Sequence, residues 1–433
     1  MRDCQRGERR RSVIGRGDRN RLLTEDEIRA IVAEAVGTGA FDGKRVVALI
    51  PDHTRTCPVA LFFELLAEEL RPRAKKLDFI IALGTHPPMP PGRIDQLLGI
   101  SMDERTARYP DIAVFNHAWD MSSELAHVGT IEAKEIEEIS GCLLCEDVPV
   151  YVNHRVLGYD VVLVVGPVFP HEVVGFSGGN KYLFPGVSGP EVLNFFHWLG
   201  ALITNVRING TKHTPVRRVV DRASSMVPAE KLCLAMVTTK QGLHGLYFGD
   251  TVEAWSAAAD LSSQVHIVYK EHPYKRILGI APEMYDDIWT AGKVMYKLEP
   301  VLADGGELII YAPHVAEISY THGRILDEIG YHCRDYFVKQ ASRFQGVPRG
   351  VLAHSTHVRG LGTYEKGVEK LRADVILATR IPEERCRRVN LGYRDPGTID
   401  PSDWADREDE GYLLVHDAGE VLHRLTRGRL PTV

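Results

Sequence analysis

Arg45-Val46-Val47-Ala48-Leu49-Ile50-Pro51-Asp52-His53-Thr54-Arg55 is the stretch on which the fold turns. Arg45–Ile50 reads as a strand with no polar alternation after its first residue, and Pro51-Asp52 ends it. Val59–Leu70 follows with helical periodicity. Leu77–Leu83 is a second apolar strand, ending at Gly84-Thr85-His86, and Ile112–Asn116 and Val161–Val165 are further strands. Fully apolar strands alternating with helices predict a parallel sheet covered on both faces. Such sheets bind ligands at the carboxyl ends of their strands. Asp52-His53-Thr54-Arg55, Gly84-Thr85-His86 and Pro170-His171 all fall there, so three polar groups are expected to converge on one crevice.

Beyond that stretch the pattern repeats. Leu232–Val237 is a strand and Thr251–Ser262 a helix. A second alternating unit has strands at Ile277–Ile280, Glu307–Tyr311, Ala373–Ala378 and Leu413–His416. Its helices are expected around Asp286–Tyr296, His322–Ile329 and Arg334–Arg343. The expectation is an α/β protein of two αβα (Rossmann-like) domains with mostly parallel sheets and an interdomain active-site cleft. The boundaries are 22–265 for a cofactor-binding domain and 266–433 for a domain closing over the substrate. Residues 1–21 hold eight arginines and almost nothing apolar. They read as a disordered basic tail, or as a start codon placed too early. Arg9-Arg10-Arg11 is followed by no hydrophobic segment, so a twin-arginine signal fits poorly.

The chain has 433 residues, 44% hydrophobic and 25% charged, which is ordinary for a globular protein of two or three domains. A net charge of −6 gives no reason to expect nucleic acid or a membrane surface as partner. No apolar run approaches the ~20 residues of a membrane span. Seven cysteines, an odd number, argue against a disulfide framework and fit a reducing cytoplasm. Cys142 and Cys145 make one CxxC without the second pair that a zinc ribbon needs, so both read as incidental.

The chemistry concentrates in His171-Glu172-Val173-Val174-Gly175-Phe176-Ser177-Gly178-Gly179-Asn180-Lys181, a Gly-rich run that continues to Gly186. Glycines let backbone N–H groups approach an anion, and the lysine adds a charge or a nucleophilic amine. The loop matches neither the Walker A spacing nor GxGxxG. A plain glycine turn would not account for Lys181 together with His171 and His197. His197 sits in a mostly apolar helix, where a buried core histidine is the usual reading, yet its place just past the lysine loop suits a ligand. Arg55 can clamp a carboxylate, although capping is the common role of such turns. His86, at a strand end beside glycine, suits a general base. His117, with Asp120 nearby, is taken as structural. Lys293, after Trp289-Thr290, can reach an anionic substrate or lie in solvent. His354, His357 and Arg359 form a dense polar run that lines the cleft or makes a surface loop, and Asn390 to Arg394 is a similar candidate.

These residues resemble the nickel-dependent lactate racemase family, which comprises 2-hydroxy acid racemases and epimerases. The likeness runs from about residue 44 and is strongest in Asp52–Arg55, Gly84–His86 and His171–Gly186 with His197. The resemblance implies a nickel-pincer nucleotide cofactor, a pyridinium mononucleotide whose sulfur donors hold nickel. It implies that Lys181 can attach to the cofactor through a thioamide and that His197 ligates nickel. The two bases then fall on His86 and His171. Arg55 and Lys293 take the substrate carboxylate, while Asp52, Thr54, Ser177, Gly178 and Gly179 contact ribose and phosphate. One histidine takes the hydroxyl proton as hydride leaves C2, and the second serves the opposite face, so activity is expected to fall in acid.

Trp289 and Thr290 depart from the Tyr-Gln pair associated with the lactate enzyme. Thr290 leaves room for a longer acid, and His354, His357 and Arg359 offer polar partners that a methyl group does not need. An unpaired buried polar group costs roughly 1–3 kcal/mol. The expected substrate is therefore a sugar acid or malate, and the expected partner is this small molecule, with neither nucleic acid nor membrane. Two other readings stand beside it. A nicotinamide-dependent oxidoreductase needs a GxGxxG loop that is missing, and a non-catalytic sugar-acid-binding protein has no use for three clustered histidines.

Overall fold

The computed structural model describes residues 12–426. Seven strands form the first sheet: β1 (Ile14–Gly17), β2 (Arg45–Ile50), β3 (Lys76–Ile81), β4 (Val114–Asn116), β5 (Val161–Pro167), β6 (Glu230–Thr239) and β7 (Gly242–Asp250). Their order across the sheet is β1-β7-β6-β5-β2-β3-β4. The strands β4, β3, β2, β5 and β6 run parallel, with Val46 beside Val161 and Ile50 beside Ile81. β7 pairs antiparallel with β6, and β1 antiparallel with β7.

The chain steps outward from β2 to β4 and then returns to lay β5 on the other side of β2. That reversal opens a crevice at the carboxyl ends of β2 and β5, the usual ligand position in such sheets. The strand residues Val46 to Ile50 and Val161 to Val165 are at most 2% exposed, which explains why no polar alternation marks them. Val47, Leu49, Val162 and Val164 pack in one apolar core, and Val46, Ala48, Val161 and Leu163 in another on the opposite face.

The second sheet has β8 (Tyr274–Ile280), β9 (Leu302–Ala312), β10 (Asp374–Thr379), β11 (Gly392–Tyr393) and β12 (Tyr412–Val415), in the order β11-β10-β9-β8-β12. All its pairings are parallel. It has its own core, around Ile277, Leu308, Ile310 and Val375. Its chain reversal lies between β8 and β12, and the segment after β12 reaches the first sheet's crevice: Thr56 Oγ1 donates to Glu420 at 2.8 Å. The mixed α/β class with mostly parallel sheets is as expected.

Several expectations need correction. The basic stretch read as disordered through residue 21 carries the edge strand Ile14–Gly17, whose backbone pairs with Gly245 to Phe248; residues 1–11 lie outside the described residues. One helix was expected over Asp286–Tyr296. Instead Ile288–Ala291 and Lys293–Leu298 meet at Gly292. The helix expected over Arg334–Arg343 stops at Val338. The polar run around His354 is neither loop nor surface: it is the helix Arg349–Arg359, buried from Gly350 onward.

No helix among the described residues is long and apolar enough to cross a membrane. The six described cysteines are free thiols, with Cys142 and Cys145 exposed.

Candidate active site

The crevice holds a cavity of about 150 Å³. Asp52, Arg55 and His86 reach it from the ends of β2 and β3. His171, Ser177, Gly178 and Lys181 come from the loop after β5, and His197 from the helix Pro190–Ile203. Trp289, Thr290, Lys293, His354 and His357 close it from the second sheet's side. Thirteen residues singled out by their sequence context thus meet around one space.

The Gly-rich loop is fixed by its own packing. Gly178 and Gly179 take positive φ values of 81° and 58°. A Cβ on Gly178 would lie 2.7 Å from Val168, so this turn needs glycine. The Gly84 N–H donates to Gly186 O at 3.0 Å and ties the β3 end to the loop. Arg217, buried and stacked 4.1 Å from the Trp255 ring, donates to the carbonyls of Gly178 and Phe176. Burial pulls the Arg217 guanidinium down to about 10. Nothing near Arg217 in the sequence marks it as this staple, because its partners lie some forty residues away.

Asp52 is 5% exposed, and its carboxylate is already engaged. Oδ2 faces His86 Nδ1 at 2.5 Å, and Oδ1 accepts from the Thr54 N–H at 3.0 Å and hydroxyl at 2.7 Å. Burial opposes the charged carboxylate, yet His86, Arg55 and Thr54 hold its pKa far below the ordinary value. Asp52 thus lines the cavity with both oxygens engaged by His86 and Thr54, whereas Thr54 braces Asp52 from outside the lining. Ser177 lines the cavity, but its hydroxyl donates to Pro167 O and accepts from the Phe169 N–H. Gly179 packs against Thr251 and Trp255 instead of facing the space.

Lys181 lies 5.8 Å from the Phe196 ring, and burial with nearby Arg55 draws its amine down to about 7. Near pH 7 a large fraction of that amine is uncharged and nucleophilic. Burial likewise holds the Lys293 pKa well below its usual value, with Arg55 adding to the effect. His197 Nδ1 lies 2.7 Å from Leu193 O, an acceptor, so Nδ1 carries the hydrogen and Nε2 keeps its lone pair. Burial brings this imidazole down to about 4, so it stays neutral. Among the described residues no group of three or more His, Cys, Asp or Glu could hold a metal.

The second wall splits into satisfied and unsatisfied groups. His354 stacks on Trp289 at 4.1 Å and meets the Tyr296 hydroxyl at 2.9 Å and the Tyr331 hydroxyl at 3.4 Å. Thr290 Oγ1 donates to Asp287 within its own turn. His357 Nε2 is buried with no hydrogen-bond partner. Arg359, expected on the cavity, points elsewhere: Nη1 donates to Ala373 O at 3.3 Å, and Asp374 lies 4.0 Å away. At i+5 from His354 it leaves the helical face that His354 and His357 share. Arg394 likewise pairs with Glu307, away from the cavity.

Sequence reading missed Glu172, Tyr182 and Tyr296, which also line the cavity. It missed Lys297 too, whose Nζ donates to Pro170 O beside His171. Glu172 directly follows His171, and Lys297 is one helical turn past Lys293; those two positions were the available signals.

Two mostly parallel sheets that meet at their carboxyl edges, across a crevice lined by lysines, an arginine and histidines, define an α/β protein with a cationic and imidazole-rich site. The chain belongs to the lactate racemase family. Residues 20–208 match the family described as the lactate racemase N-terminal domain. A lactate racemase of Thermoanaerobacterium thermosaccharolyticum is 23% identical over 317 residues, which span 70% of this chain and 68% of that one. The crystal structure of a Thermotoga maritima protein is 34% identical and superposes with a TM-score of 0.87, covering 95% of this chain and 100% of the other. The lactate racemase apoprotein from T. thermosaccharolyticum superposes with a TM-score of 0.70 at 18% identity, covering 92% of each chain.

Proposed function

We propose that this protein racemises or epimerises a 2-hydroxy acid at C2, and that His86 and His171 are its acid–base pair. The observation that carries the reading is that both imidazoles line the same cavity as Arg55, Lys181, Lys293 and His197. Arg55 and Lys293 bind the substrate carboxylate. Asp52 presents His86 with Nδ1–H turned toward itself, which leaves Nε2 to take the hydroxyl proton. Tyr182, Leu193 and the helix Arg349–Arg359 keep water from the reacting carbon. We read the two sheets as two domains, residues 22–265 and 266–433, that close over this cavity.

The residues present fit a nickel-pincer nucleotide. Lys181 offers a buried amine, drawn down to about 7, for a thioamide link, and His197 offers a free Nε2 lone pair to nickel. The protein supplies no metal cage, so the remaining donors must come with the cofactor. When bound, that group supplies a hydride acceptor.

The substrate is a hydroxylated acid longer than lactate. His357 Nε2 lacks a partner, and the nearby His354 and His357 are both neutral, kept so chiefly by burial. That wall suits hydroxyl groups better than a second carboxylate, so a sugar acid is favoured over malate. The experiment is to produce the protein alongside the cofactor-synthesis enzymes, then measure nickel, the mass of the Lys181 peptide, and turnover of gluconate, malate and lactate. About one nickel per chain, added mass at Lys181 and preference for gluconate are expected. Holoenzyme without nickel, or a clear preference for lactate, sinks the corresponding part.

A further inference from the structure

Glu172 faces the cavity and has no part in the chemistry described so far. We propose that Glu172 is the positioning residue that lets His171 act as a base, by accepting a hydrogen bond from His171 Nδ1–H. This rests on the racemase or epimerase reading above.

The two imidazoles meet the cavity in opposite tautomers. His86 Nδ1 faces a carboxylate that can only accept, so its hydrogen sits on Nδ1 and its lone pair on Nε2. His171 Nδ1 faces the Val173 backbone N–H at 3.1 Å, which can only donate. The lone pair of His171 is therefore on Nδ1 and its hydrogen on Nε2. In that state Nε2 cannot take a proton from a substrate hydroxyl.

For His171 to serve as a base its hydrogen must move to Nδ1, where it needs an acceptor. Glu172 Oε2 lies 3.4 Å from Nδ1, and His171 is the ion-pair partner of Glu172 among the described residues. Burial works against the charged form of Glu172, but Lys297 foremost offsets it, and the carboxyl lies below its usual range. Burial disfavours an imidazolium at His171, and the positive charges of Lys181, Arg55 and Lys297 add to it. Glu172 is thus the group that can make an Nδ1–H form tenable. In that form the hydroxyl proton passes to Nε2 while Nδ1–H stays on Glu172, which then neutralises the imidazolium as Asp52 does for His86.

The test compares wild type with Glu172→Leu and Glu172→Gln. Nitrogen-15 spectra of histidine-labelled protein, with His171 assigned by its loss in a His171→Asn variant, should show two exchanging tautomers in wild type and only the Nε2–H form in Glu172→Leu. In single turnovers of cofactor-loaded enzyme, 2-keto acid formation from one stereoisomer should fall about tenfold or more in Glu172→Leu. From the other stereoisomer, served by His86, it should change by less than about threefold. Glu172→Gln, whose amide oxygen still accepts, should recover much of the loss; this variant also covers the case in which the leucine variant fails to fold. Equal slowing of both stereoisomers, no slowing of either, or an unchanged tautomer balance overturns the proposal. Wild type that makes keto acid from neither stereoisomer sinks the racemase reading instead, and the spectra then decide the role of Glu172 alone.

Discussion

Asp52 shows how one buried side chain sets the state of another. Its carboxylate is kept charged against burial because His86, Arg55 and Thr54 surround it. Its oxygen 2.5 Å from Nδ1 fixes which nitrogen of His86 bears the hydrogen. Asparagine is nearly isosteric but can present an N–H to Nδ1, which would push the hydrogen onto Nε2 and remove the base. Asp52→Asn should therefore fold normally, leave KM within about threefold, and lower kcat by about 10²–10⁴, the range of losses for a positioned base. Steady-state kinetics on the loaded enzyme measure both. A KM rise with unchanged kcat would place Asp52 in substrate binding instead. The residue types at this site were legible because strand ends place polar groups in the crevice. Partner choice was not: nothing in Asp52-His53-Thr54-Arg55 shows that Asp52 meets a histidine thirty-four positions later.

At the scale of elements, the helix Pro190–Ile203 must approach the loop after β5 closely for His197 to face Lys181. Gly200 makes that approach possible. A Cβ there would lie 2.7 Å from Val173 Cγ1 and 3.1 Å from the Val173 backbone. The valine methyl can move, but the backbone that holds His171 cannot without shifting the site. Gly200→Ala should cost about 1–3 kcal/mol, the usual penalty of overpacking, and should lower the nickel retained per chain. Thermal melts and metal analysis check the two parts; an unchanged melting midpoint would show that the helix gives way freely. Legibility at this scale follows burial. The parallel strands were readable because both their faces are apolar. The helix Arg349–Arg359 was not, because Gly350 to Arg359 are all buried while five of them are His, Ser, Thr or Arg. A helix enclosed on every side with a polar composition carries no amphipathic stripe for periodicity to detect. β7 escaped notice for another reason: it returns from β6 by a tight antiparallel turn at residues 240–241, whereas the pattern upstream pointed to parallel crossovers.

Across the whole molecule, the number of buried neutral histidines predicts acid sensitivity. His117, His266, His322, His357 and His423 are each at most 8% exposed. Burial is the largest influence on each, and each is drawn down to about 4. In the unfolded chain they return to about 6.5. Between those values the unfolded state binds more protons than the folded one, so stability is intact above about pH 6.5 and falls as pH drops toward 4. Each histidine contributes a slope of up to about 1.4 kcal/mol per pH unit. Five together approach the entire stability of an ordinary protein, about 5–15 kcal/mol, within roughly two units. Asp221 and Asp287 work in the other direction, since burial raises their carboxyls, but they are two against five. Asp52, with its pKa depressed, begins to cost stability only below the range of an ordinary carboxylate, outside this window. The melting midpoint should thus fall monotonically from pH 7 to pH 5. Calorimetry at pH 5–6 in buffers of different ionisation enthalpy should show net proton uptake on unfolding. A midpoint that stays level or rises over that interval would mean that these histidines are charged in the folded protein, and the neutral wall at His357 would then no longer favour hydroxyl groups over a second carboxylate.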